Sequence, residues 1–227
     1  MRWFKPLLTG ATWRERVVGC AGAFVCLALT MIVSSPISLS ATDLPAIVAP
    51  LGASAVLVFA VPSSPLAQPW SVLGGNIISS LIGVAVAQAV PHVALAAGLA
   101  VGLAILVMSL LRCLHPPGGA AALTAVVGSA AIHDAGYAFA FAPVGINSVA
   151  LVALAMLFHR ATGHRYPHRP AVSTQPMQAA ELVDADIDAA LADMHESFDI
   201  ARDDLEALIA RARLHARARV SSSTSNG

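Results

Sequence analysis

The chain has 227 residues, 57% of them hydrophobic and 11% charged, and its 13 Lys and Arg balance 13 Asp and Glu to a formal net charge of zero. Soluble domains carry about 25% charged residues, and a mean hydropathy of +0.73 leaves too little polar side chain to cover a water-facing surface of this size. The composition excludes an ordinary soluble domain, and without a Lys/Arg field it excludes a nucleic-acid partner; a lipid bilayer is the partner it requires.

Between Val17 and His159 the only Asp, Glu, Lys or Arg residues are Asp43, Arg112 and Asp134. Residues 1–16 read as a basic, aromatic cytoplasmic lead, with Trp3, Phe4 and Trp13 suited to the headgroup level. The first apolar run, about Val17 to Ser34, is longer than the ~7–15 residues of a signal-peptide core and reads as a retained span. Segment two, about Ala46 to Val61, is short and bracketed by prolines; segments three and four run from about Ser71 to Val90 and Val93 to Leu111. Segment five, about Gly118 to Ile132, is short again, and segment six runs from about Pro143 to Phe158. A perpendicular span needs about 20 residues, so segments one, three and four qualify and two, five and six are marginal; the short pair, two and five, reads as full, broken or re-entrant spans. The expected fold is an all-α, polytopic membrane bundle of about six hydrophobic segments.

Pro50-Leu51-Gly52-Ala53-Ser54-Ala55 matches Pro117-Gly118-Gly119-Ala120-Ala121-Ala122, and each match opens the short middle segment of a group of three. Two such groups in succession have opposite orientations, the inverted-repeat plan of many transporters. Lys5, Arg14 and Arg16 before the spans and Arg160, Arg165 and Arg169 after them put both termini in the cytoplasm, and Arg112 leans toward six crossings. The expected domains are a membrane domain over 17–160, a linker over 161–176, a cytoplasmic helical hairpin over 177–219 and a disordered end over 220–227.

Leu114-His115-Pro116-Pro117-Gly118-Gly119 carries the sharpest chemistry. The prolines permit a helix after them and disfavour one before, and the glycines bare backbone N–H groups at its start. Such a start binds anions. Pro50, Gly52, Ala53 and Ser54 offer the same device in the other group. If both helix starts meet at the midplane, they form a positive pocket without Lys or Arg; close helix packing explains the glycines equally well. His115 can gate a proton or serve as a loop histidine. Asn76, Ser79, Ser80 and Gly83 share a face of segment three, Gln68 stands ahead of it, and Asn147 and Ser148 mark segment six, as substrate contacts or interhelical hydrogen bonds. Gly98-x-x-x-Gly102 predicts close helix contact. Cys20, Cys26 and Cys113 read as small buried hydrophobes. No catalytic set, metal-ligand spacing or cofactor motif appears, so an enzyme is not expected.

These motifs, with Ser64-Pro65-Leu66-Ala67-Gln68-Pro69 and Gly74-Gly75 between them, resemble the HPP family of integral membrane proteins over about residues 12–160. Some members are implicated in nitrite transport, so the resemblance implies a membrane carrier for a small anion. Many members have Arg-Asn where this chain has Trp70-Ser71, and many bacterial members carry CBS domains that this tail is too short to form. The expected function is a cell inner-membrane transporter or channel for a small anion, with Pro50, Gly52, Ala53, Ser54, Gln68, Asn76, His115, Pro116, Pro117, Gly118 and Gly119 as the binding set and a possible homo-oligomer. The alternative is a membrane-anchored sensor or scaffold that recruits a partner through its hairpin.

Overall fold

The computed structural model describes residues 13–35 and 47–168, together with helical positions 186, 187, 189, 190, 193, 205, 206 and 208–212. Two compact units divide the chain, one formed by 13–171 and the other by 1–12 and 172–227. Most of the expected hairpin, the first twelve residues and the Ser-rich end lie outside the described residues. No strand occurs among the described residues.

Among its described residues the membrane unit has seven α-helices: α1 (Trp13–Ser34), α2 (Pro50–Ala60), α3 (Pro69–Ala89), α4 (Val93–Leu110), α5 (Pro116–Val127), α6 (Ala130–Ala135) and α7 (Ile146–Ala161). Prolines set most of the boundaries. Pro50, Pro69 and Pro116 open α2, α3 and α5, where a missing N–H costs nothing. His115 and Gln68 stand in extended backbone just before their prolines, because the pyrrolidine ring disfavours helix at the preceding residue. α7 is prefaced by a turn of π-helix, Ala140–Gly145, whose Ala142 is extended ahead of Pro143.

Four helical stretches among the described residues are long and apolar enough to cross a membrane: Trp13–Ser34, Pro69–Ala89, Val93–Leu110 and Ala140–Ala161. At about 1.5 Å per residue, the 11 residues of α2 and 12 of α5 reach little more than half of a ~30 Å hydrocarbon core. Three expectations shift. Segment one begins at Trp13, so the end of the basic lead is already helix. Segment five breaks at Gly128-Ser129, which separate α5 from α6. Segment six gains its length at both ends and becomes a candidate span.

α3 is the hub, packed against α4, α5 and α7, while α1 lies on α2 and α7. Its stripe of Gly75, Ser79 and Gly83 faces α5 so closely that a Cβ on Gly83 would strike the Ala122 carbonyl, and one on Gly118 would lie 2.7 Å from the Gly75 carbonyl. α4 turns Ala96, Ala100, Ala104 and Met108 inward. Gly98 and Gly102 therefore do not make the expected close contact within the chain: a Cβ on either meets nothing within 4 Å. The outward faces of α1 and α4 expose Phe24, Met31 and Ile32, and Leu103, Ile105 and Leu106, which lipid can cover. Cys26 and Cys113 are buried as expected, but Cys20 is exposed on α1; all three are free thiols.

Candidate functional site

The loop from Val61 to Gln68 is built to hold one carbonyl in place. Ser64 opens a 3₁₀ turn, Pro65–Ala67, with its hydroxyl accepting from the Leu66 N–H at 3.3 Å. Gln68 Nε2 donates to the Pro62 and Ser64 carbonyls at 3.0 and 2.9 Å, and the Ser71 hydroxyl donates to the Pro65 carbonyl at 2.8 Å. The Leu66 carbonyl is left facing His115, whose Nδ1 lies 2.8 Å away.

His115 sits at the start of α5, completely buried, and its other ring nitrogen lies 2.8 Å from Ser54 Oγ on α2. Asn76 of α3 donates through Nδ2 to Ser54 Oγ at 3.3 Å and to Ser148 Oγ of α7 at 3.1 Å. One polar network thus joins α2, α3, α5 and α7. Asn147, beside Ser148, accepts the Val48 N–H at 3.1 Å through Oδ1 and so answers a backbone donor just ahead of α2. Ser54, Asn76, Ser79, Ser80, His115, Asn147 and Ser148 are all buried, none more than 2% exposed. Asn76 Oδ1 and the Ser79 and Ser80 hydroxyls have no hydrogen-bond partner among the described residues.

The expected site residues separate into those the fold gathers and those it does not. Ser54, Asn76 and His115 are in direct contact. Gly118 is buried against Gly75 and Ser79, where only a residue without a side chain fits. Pro50 and Pro117 are buried as helix starts. Gly52 has open space around it, Ala53 and Pro116 are exposed, and Gly119 touches the α4 side at Val101. The Gly52 and Gly118 N–H groups already donate to the Ala49 and His115 carbonyls, at 3.0 and 2.8 Å. Gln68 works as the brace of the loop that carries Leu66. Trp70 is exposed, and its indole N–H donates to the Leu111 carbonyl at 3.1 Å, outside the network.

Two participants are not among the expected site residues. Leu66 contributes its carbonyl alone. Tyr166, in the expected linker, is buried and donates its hydroxyl to the Ala67 carbonyl at 2.8 Å, while the His168 N–H donates to Gln68 Oε1 at 2.9 Å. The start of the linker is therefore strapped onto the motif loop. A cavity of about 190 Å³ opens near the other end of α3, lined mainly by apolar residues with Gln88 and His133. None of the network residues lines it; they form a buried polar core apart from that cavity.

A profile described as HPP, transmembrane region, matches residues 9–167. Two curated transmembrane proteins of Dictyostelium discoideum are 39% and 37% identical to the chain over 120 residues, which is 51% of this chain and 38% and 42% of theirs. The matches span less than half the length of these relatives. No solved structure matches the chain.

Proposed function

The chain belongs to the HPP family of integral membrane proteins, and on that premise we propose that it is a membrane transporter or channel for a small anion such as nitrite, bound at the Ser54–Asn76–His115 network. The observation that carries this is the 2.8 Å contact between Ser54 and His115, which brings the opening turns of two short, proline-led helices to one buried spot. Each helix start contributes a partial charge of roughly +0.5 e, and that field is strongest where water is excluded. Because the Gly52 and Gly118 N–H groups are engaged within their own turns, the ligand's hydrogen bonds come from side chains, and the backbone supplies the field.

The network is closed to both aqueous sides. Access requires helices to part, and the two halves, α1–α3 and α4–α7, rocking as inverted repeats about α2 and α5, would open it to one side at a time. His115 is the titratable group of the network and lets a proton accompany the anion. Both termini face the cytoplasm in this scheme. The test is nitrite uptake into liposomes containing the purified protein: uptake above empty vesicles, lost on His115→Ala, is expected, and uptake equal to empty vesicles overturns the proposal.

A further inference from the structure

The direction of each hydrogen bond in the network follows from its ends. The Leu66 carbonyl can only accept, so His115 Nδ1 carries the hydrogen between them. The ring is buried and no carboxylate among the described residues bonds to it, so it is neutral and its Nε2 is an acceptor. The Ser54 hydroxyl, 2.8 Å from Nε2 and 3.4 Å from the Pro50 carbonyl, gives its hydrogen to the nearer acceptor. With its single hydrogen on the imidazole, Ser54 can only accept from Asn76, and this fixes the amide with Nδ2 toward Ser54 and Ser148. Asn76 Oδ1 is turned away from both, a buried acceptor with no partner among the described residues, and the Ser79 and Ser80 hydroxyls a turn along α3 are unpartnered there as well. Each such group left without a partner is a net cost to the fold. Three of them within two turns mark a place where something else completes the bonds.

The Ser79 and Ser80 hydroxyls can donate or accept, but what completes Asn76 Oδ1 has to donate to an oxygen, and a bare anion cannot. Charge points the same way. Between Asp43 and Arg112 the sequence has no Asp, Glu, Lys or Arg, and α7 has none before Arg160. Among the described residues, the titratable and charged groups on the elements around the ring are Cys113, buried beside α3, Arg112, exposed on the turn after α4, Tyr166, whose hydroxyl holds the Ala67 carbonyl next to Leu66, and His159 of α7, turned to the Val58 carbonyl. The two helix starts supply only partial charges, and an anion held here without a full counter-charge would still bear a heavy desolvation penalty.

We infer that the site takes its ligand as a neutral, protonated small oxyacid. The acid O–H donates to Asn76 Oδ1, and the remaining oxygen accepts from a Ser79 or Ser80 hydroxyl. The proton enters and leaves with the anion, so no charge crosses the membrane. This assignment rests on the transport proposal above and adds the protonation state of the cargo.

Calorimetric titration of the full-length protein in detergent with sodium nitrite, in two buffers of different ionisation enthalpy, counts the protons taken up per anion bound. One proton per nitrite is expected near neutral pH, with affinity falling about tenfold for each unit of rising pH, and with the ¹⁵N shifts of the His115 ring remaining those of a neutral imidazole. Binding without proton uptake overturns the inference and leaves the transport proposal standing. So does a proton that settles on His115 as imidazolium. Absence of binding heat together with absence of uptake into liposomes overturns both.

Discussion

Ser54 and His115 are 61 residues apart in the chain and 2.8 Å apart in the fold. That contact ties α2 to the start of α5, and α3 reaches it through Asn76. Ser54→Ala would leave Nε2 buried without its donor, at a cost of about 1–3 kcal/mol. His115→Ala would remove the ring from both Ser54 and the Leu66 carbonyl. The double variant should cost less than the sum of the singles, with a coupling of about 0.5–3 kcal/mol. Denaturant unfolding in detergent micelles measures it, and additive losses would show that the pair is not bonded.

Close approach of α3 and α5 predicts a contrast among glycines. Gly75→Ala would put a Cβ into that of His115, and Gly118→Ala would put one 2.8 Å from Ser79 Oγ. Overpacking of this kind costs about 1–3 kcal/mol. Gly98→Ala and Gly102→Ala, with open space at each Cβ, should change stability by no more than about 0.5 kcal/mol. Thermal unfolding of the four variants gives the comparison, and equal losses at Gly102 and Gly118 would contradict the packing described.

The glycines also show what a sequence can carry. The charge-poor runs and prolines mark the helices, because both act locally, and Ser54, Asn76 and His115 stand out as polar residues in apolar surroundings. The small-x-x-x-small rule alone does not choose between Gly98-x-x-x-Gly102 and Gly75-x-x-x-Ser79, since a helix face has no direction until its neighbours are placed. Leu66 is silent for another reason: its contribution is a backbone carbonyl, which every residue has. Tyr166 falls in a polar, proline-rich stretch whose composition reads as linker, and its burial depends on the 61–68 loop that receives it.

Tyr166 gives a prediction on pH. Its phenol donates to the Ala67 carbonyl at 2.8 Å, and burial pushes its pKa above the ordinary value of 10.0. Below pH 10 the phenol is protonated in both folded and unfolded chains and contributes no pH dependence. Above it the unfolded chain loses the proton first, so stability falls as pH rises, by up to about 1.4 kcal/mol per unit. Tyr166→Phe should lose about 0.5–1.5 kcal/mol at pH 8 and should show a shallower decline between pH 10 and 11. Identical slopes in the two proteins would mean that the phenol is already ionised or exposed in the folded state.

Cys113 reports on whether the sealed network opens. It lies two residues before His115, fully buried, with its Sγ 3.3 Å from where a Cβ on Gly74 would stand. Burial raises its thiol pKa above the ordinary value of 9.0, so the nucleophilic thiolate is scarce as well as covered. In a Cys20→Ser, Cys26→Ala background, a membrane-impermeant maleimide should label Cys113 at least tenfold more slowly in membrane vesicles than in denatured chain. A closed core predicts the slow rate, but alternating access predicts more. A ligand that favours one arrangement changes the populations of all of them, so nitrite should alter the labelling rate in the wild-type network and leave it unchanged in His115→Ala. A rate equal to that of denatured chain would show that the core is not sealed. A slow rate indifferent to nitrite would show that the helices around His115 do not part when the anion binds, and the rocking scheme would then have to be abandoned.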